Sequence, residues 1–145
     1  MFDLSVWLTG LGVLLAAAFA VWLLSVAKRN VSIVDVLWSL MFLLAALAYT
    51  YAGAYVGAGP LPELPGSAGA SPATWPSSRG TLVIMLVAIW ALRLAIYIAA
   101  RNWGHPEDYR YQAIRRRNDP GFTFKSLYLV FFLQAGLAWV ISLPL

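Results

Sequence analysis

Between Arg101 and Arg117 the chain reads Arg-Asn-Trp-Gly-His-Pro-Glu-Asp-Tyr-Arg-Tyr-Gln-Ala-Ile-Arg-Arg-Arg, its longest charge-rich stretch. Guanidinium groups hold phosphates through forked, charge-assisted hydrogen bonds, and tyrosine rings stack on a base or ring. Arg101, Asn102, Asp108, Arg110 and Tyr111 mix acid, base and aromatic in a way that charge serving only to orient a membrane protein does not require. Arg115, Arg116 and Arg117 are adjacent, so on a helix they point in different directions and read first as topogenic charge. Two candidates lie elsewhere. Asp35 can hold a substrate carbonyl if its pKa is raised, pair with Arg93, or simply cap a helix, and capping is the preferred reading. Arg93 shares a helical face with Trp90, Tyr97 and Arg101, at spacings of three and four residues, and a guanidinium there needs water, headgroups or a partner. The single histidine, His105, precedes a proline and reads as a cap or loop residue. With no cysteine and one histidine, no metal site is expected, and a disulfide framework and a thiolate nucleophile are excluded.

The elements that must position these residues are membrane helices. Of 145 residues 61% are hydrophobic and only 11% charged, with a mean hydropathy of +0.75, far from the composition of a water-soluble domain. About 20 apolar residues cross a hydrocarbon core of roughly 30 Å, and uncharged runs without period-two alternation favour helices over a barrel. The fold class expected is all-α: a polytopic helical membrane protein with four transmembrane helices and a short interfacial helix. A formal charge of +4 fits topology and anionic lipid better than nucleic acid in a chain this apolar, so no nucleic acid is expected as partner.

The spans are read at 4–27, 33–55, 81–102 and 124–144, in one transmembrane domain over 1–145. The first reads as an uncleaved anchor, because its basic flank, Lys28 and Arg29, follows the apolar run. Ser32 to Asp35 has the spacing of a capping box opening the second helix. Residues 56–80 hold most of the prolines and read as an exposed outer loop. Gly104 suits a left-handed cap and Pro106 ends the third helix. Pro106 to Arg117 then reads as the interfacial helix, with Glu107 and Asp108 at the positive end of its dipole. Residues 103–123 are expected in the cytoplasm. Lys28, Arg29, Arg101, Arg110, Arg115, Arg116, Arg117 and Lys125 fall on that side and only Arg79 on the other, which places both termini outside a cell inner membrane.

Asn30-x-Ser32-Ile33-Val34-Asp35-x-x-Trp38, Trp90-x-x-Arg93-Leu94, Arg101-x-x-Gly104-x-x-Glu107-Asp108-x-Arg110-Tyr111 and Leu133-Gln134 together resemble the N-terminal half of the bacterial steroid 5-alpha-reductase-like membrane proteins. The resemblance covers nearly the whole chain apart from 56–80. It implies an oxidoreductase in which NADPH reduces an enone carbon-carbon double bond in a lipid or sterol-like substrate, with the chain as half of a longer architecture or working beside a second half or partner chain. By the same resemblance, Asp35, Trp90 and Arg93 border the substrate cavity, and Arg101, Asn102, Asp108, Arg110 and Tyr111 lie toward the cofactor. Two other readings stand beside it: a non-catalytic membrane protein binding anionic lipid or a partner through its basic segment, and a membrane methyltransferase.

Overall fold

A computed structural model describes residues 4–57, 78–143 and 145, so most of the expected outer loop at 56–80 lies outside the described residues. Helices α1 (Leu4–Lys28), α2 (Ile33–Gly57) and α3 (Ser78–Asn102) are followed by the short α4 (Tyr109–Asn118). The chain then continues as α5 (Phe122–Ser126), a π-helical stretch (Leu127–Phe132) and α6 (Leu133–Ile141). These last three form one continuous span, Phe122–Ile141, and with α1, α2 and α3 they make four helices long and apolar enough to cross a membrane. No strand occurs among the described residues, and the chain is an all-α, multi-pass membrane protein. Helix α3 opens three residues earlier than the sequence reading, at Ser78 rather than Thr81.

Three spans share the core and the fourth leans on it. Leu14, Ala18 and Trp22 recur every fourth residue on α1, and Val34, Leu37, Met41 and Ala45 recur at threes and fours on α2. Val130, Phe131, Ala135 and Ala138 bring the last span against both. Val130 and Phe131 are neighbours in sequence, yet both are buried, because the π-helical stretch widens the turn that carries them. Helix α3 packs chiefly on α2, and its fully buried side chains are the small Ala91 and Ala95.

Away from the basic segment, a polar contact ties three helices. The Tyr49 hydroxyl of α2 lies 2.6 Å from Ser142 Oγ after α6, and its ring packs over Gly10 of α1. A Cβ added at Gly10 would overlap that ring, 2.9 Å from Cζ and 3.0 Å from the hydroxyl oxygen, and the ring is pinned by Ser142. Gly10→Ala is therefore expected to cost about 1–3 kcal/mol through overpacking. Gly12→Ala, where an added Cβ meets nothing within 4 Å, is expected to be neutral or mildly stabilising. Thermal midpoints of the two variants in one detergent check the difference.

The ends that bear the lysines and arginines meet on one side of the bundle. Helix α1 closes with the Asn30 N–H donating to the Ser25 carbonyl and the Arg29 N–H to the Val26 carbonyl, a left-handed cap with Arg29 at φ 51°. The Ser32 N–H donates to Asn30 Oδ1 at 2.9 Å and tightens the turn into α2. Gly104, at φ 75°, takes the left-handed position after α3 that its sequence context predicts.

Candidate functional site

The segment between α3 and α4 is fastened to the α1–α2 turn by two hydrogen bonds. Glu107 Oε1 accepts the Val31 N–H at 2.8 Å, and Ser32 Oγ accepts the Asp108 N–H at 2.8 Å. Arg115 grips Glu107 with its guanidinium, at 2.9, 3.1 and 3.2 Å, and lies over the Phe122 ring at 4.7 Å. The acids expected inside the first turn of an interfacial helix have other duties. Asp108 is the N-cap of α4, accepting the Arg110 N–H at 3.0 Å, so the helix starts at Tyr109 rather than Pro106.

One face of α4 then turns onto α2. The Tyr111 hydroxyl donates to Asp35 Oδ1 at 2.5 Å, while Arg110 Nη2 reaches Asp35 Oδ2 at 3.4 Å and Asp108 Oδ2 at 3.1 Å. This corrects two expectations. Ser32 and Asp35 form no capping box, since the Ser32 hydroxyl serves Asp108 and the Asp35 side chain serves α4. Asp35 also does not pair with Arg93, because the outward turn of α3 carries Arg93 away from α2 while α4 brings a nearer cation.

Charge follows the geometry. The Arg110 side chain holds the Asp108 carboxyl below the usual carboxylate range against a modest cost of burial, and the same hydrogen bond raises Arg110. Burial, then the hydrogen bond and charge of Asp35, pushes the Tyr111 hydroxyl well above the usual phenol range, with Gln134 acting in the opposite direction. Tyr111 therefore keeps its proton across any physiological pH.

These groups form one end of an open groove of about 500 Å³. Asp35 and Trp38 of α2 make its floor, Leu94, Tyr97 and Ile98 one wall, and Gln134 and Leu137 of the last span the other. Arg101, Arg110 and Tyr111 complete the polar end, so the groove is apolar along its walls and charged at one end. Among the described residues, Gln134 Oε1 is buried there without a hydrogen-bond partner.

The expected residues are divided by this arrangement. Asp35 joins Arg101, Arg110 and Tyr111 in the groove. Asn102 and Asp108 line a second opening of about 420 Å³ with Ser32 and His105, and Arg101 borders both. Arg101 has one hydrogen bond, to Asn102 Oδ1 at 3.3 Å, and no carboxylate partner among the described residues. Trp90 lies outside the groove, with its ring edge against Phe42 at 5.7 Å, and Arg93 is exposed beyond it. The residue types alone did not single out the Glu107–Arg115 clamp, the acceptor role of Ser32, or Gln134, which the resemblance alone included. No local spacing announces the clamp, because Glu107 lies before the N-cap of α4 and Arg115 eight residues further on.

A family model described as "Protein of unknown function (DUF1295)" matches residues 21–145. No curated protein and no solved structure matches the chain.

Proposed function

The chain belongs to the DUF1295 family, and from that premise we propose that it forms the substrate-facing part of a steroid 5-alpha-reductase-like membrane enzyme. NADPH would reduce the enone double bond of a lipid or sterol-like substrate there. The observation that carries the reading is the Tyr111 to Asp35 hydrogen bond, which brings the acid expected beside the substrate into one cluster with Arg101, Arg110 and Tyr111, expected beside the cofactor. A hydride donor and its acceptor must touch, and this junction is where they can.

The apolar walls, Leu94, Ile98 and Leu137, suit a hydrocarbon skeleton entering from the bilayer. Its ketone then lies at the polar end, where the Arg110 N–H groups that Asp35 and Asp108 do not use are available to the oxygen on which enolate charge develops. Asp35 fixes Arg110 in place, and Tyr111, which keeps its proton, gives that hydrogen to Asp35 and holds the carboxylate in turn. Gln134 Oε1, lacking a donor among the described residues, can accept a substrate hydroxyl or an ordered water.

NADPH would sit with its phosphates at Arg101 and Asn102, because Arg101 is a cation at the mouth that forms no salt bridge among the described residues, whereas carboxylates hold Arg110 and Arg115. Held there, NADPH would supply the hydride for the β-carbon, with a proton from water on the α-carbon giving the saturated ketone.

The test is NADPH oxidation by the purified chain in lipid nanodiscs, with and without a 3-keto-4-ene steroid, and mass detection of the saturated product. Arg101→Ala is expected to raise KM for NADPH about tenfold while leaving KM for the enone near its original value. Absence of both NADPH binding and enone-dependent oxidation would sink the reading.

A further inference from the structure

Arg93 sits where a membrane helix should not carry a charge. It lies nine residues before Asn102, the last residue of α3, or about 13 Å down the axis at 1.5 Å per residue. The half-thickness of the hydrocarbon core is about 15 Å, so with Asn102 at the interface the arginine backbone is near the bilayer centre. Snorkelling does not rescue it easily. On a helix the Cα–Cβ bond leans toward the N-terminus, which for Arg93 is away from the nearer, basic surface and toward the farther one, fifteen residues off at Ser78.

Nor does the rest of the described chain help. Arg93 is exposed, and it forms no hydrogen bond or ion pair among the described residues. The face around it is open and apolar, with Ile89 at 63%, Ile96 at 66% and Leu86 at 59% exposure. Lipid covers such a face at no cost everywhere except at Arg93, where an unpaired guanidinium in hydrocarbon is strongly unfavourable. A second copy of this chain offers no remedy. Its six carboxylates are Asp3 and Glu63, outside the described spans, Asp119, in the turn after α4, and Asp35, Glu107 and Asp108, already paired at the basic end.

We infer that the outward face of α3, centred on Arg93, docks a transmembrane helix of another polypeptide segment that carries a carboxylate at mid-membrane depth. Charge complementarity identifies the occupant, since a carboxylate both neutralises the guanidinium and accepts its forked donors in a medium without water. Helix α3 packs chiefly on α2, which leaves the face opposite that contact open to receive it. The inference does not depend on the reductase reading.

The chain contains no cysteine, so one can be placed at will. Trp103→Cys, 82% exposed at the end of α3, would carry a donor dye on the full chain in zwitterionic phosphatidylcholine vesicles. The probes are acceptor-labelled leucine-alanine transmembrane peptides with a central Glu, Gln or Leu. Energy transfer should show the Glu peptide binding about tenfold more tightly than the Leu peptide. Arg93→Leu should abolish that preference, Arg93→Lys should keep part of it, and Arg101→Leu should leave it intact. Equal binding of Glu and Leu peptides overturns the proposal, as does a preference indifferent to Arg93→Leu. So does peptide-free transfer between two labelled copies that is lost on Arg93→Leu, because the occupant is then the chain itself. Loss of the preference when phosphatidylglycerol is added also overturns it, by making lipid phosphate the partner of Arg93.

Discussion

Asp35→Asn is expected to lower the rate of enone reduction by about two orders of magnitude, with the effect in kcat rather than in KM for NADPH. The carboxylate receives the Tyr111 hydroxyl at 2.5 Å and the Arg110 guanidinium at 3.4 Å. An asparagine amide can still accept from Tyr111, but it has no charge with which to hold the arginine, so the Arg110 donors lose their alignment. Asp35→Glu is expected to restore part of the rate. Tyr111→Phe should resemble Asp35→Asn in kcat, and the double variant should lose little more than either alone, because the residues act as one unit. Steady-state kinetics on the four proteins, beside their thermal midpoints, separate this from simple unfolding. A normal kcat in Asp35→Asn would remove the acid from the proposed chemistry.

The second large effect is on stability. Glu107→Ala removes the acceptor of the Val31 N–H and the partner of Arg115 together, leaving a buried backbone donor and a half-buried guanidinium without partners. The Glu107 side chain is only 11% exposed, so water replaces these bonds poorly. A loss of about 3 kcal/mol follows from breaking a sheltered pair of this kind on one side. Glu107→Gln, which can still accept from Val31, should lose less. Because among the described residues the segment's hydrogen bonds to the α1–α2 turn run through Glu107 and Asp108, trypsin cleavage after Arg116 and Arg117 should accelerate in Glu107→Ala. Unfolding in detergent and the digestion rate both report on it. Unchanged values in both would mean that the clamp bears no load.

The membrane fold was legible because it is written in one variable. Uncharged runs of about 20 residues have few alternatives, and α1, α2 and the last span fall within a few residues of their expected bounds. Gly104 announced its left-handed turn in the same direct way. The site was legible as a set of residue types and not as a set of pairs. Spacing of three and four puts Trp90, Arg93, Tyr97 and Arg101 on one face of α3, but it says nothing of what that face meets. In the structure the face divides, with Tyr97 and Arg101 at the groove and Arg93 outside it. Ser32 and Asp35 have capping chemistry in a capping spacing, and the capping box was lost only because a segment some 75 residues later competes for both side chains. Long-range competition of that kind has no local signature.

The π-helical stretch Leu127–Phe132 acts as a phase adjuster for everything after it. Each residue of an ordinary helix advances the azimuth by about 100°, so a screw thread with slack in one turn points its later side chains elsewhere than a uniform thread would. Gln134 follows that slack by two positions and owes its bearing on the groove to it. Shortening the slack by a single residue would swing the amide off the groove and present an aliphatic neighbour, Leu133 or Ala135, in its stead. The polarity of the wall that the last span gives the groove is thus set by the winding of a segment whose own side chains are all apolar or aromatic.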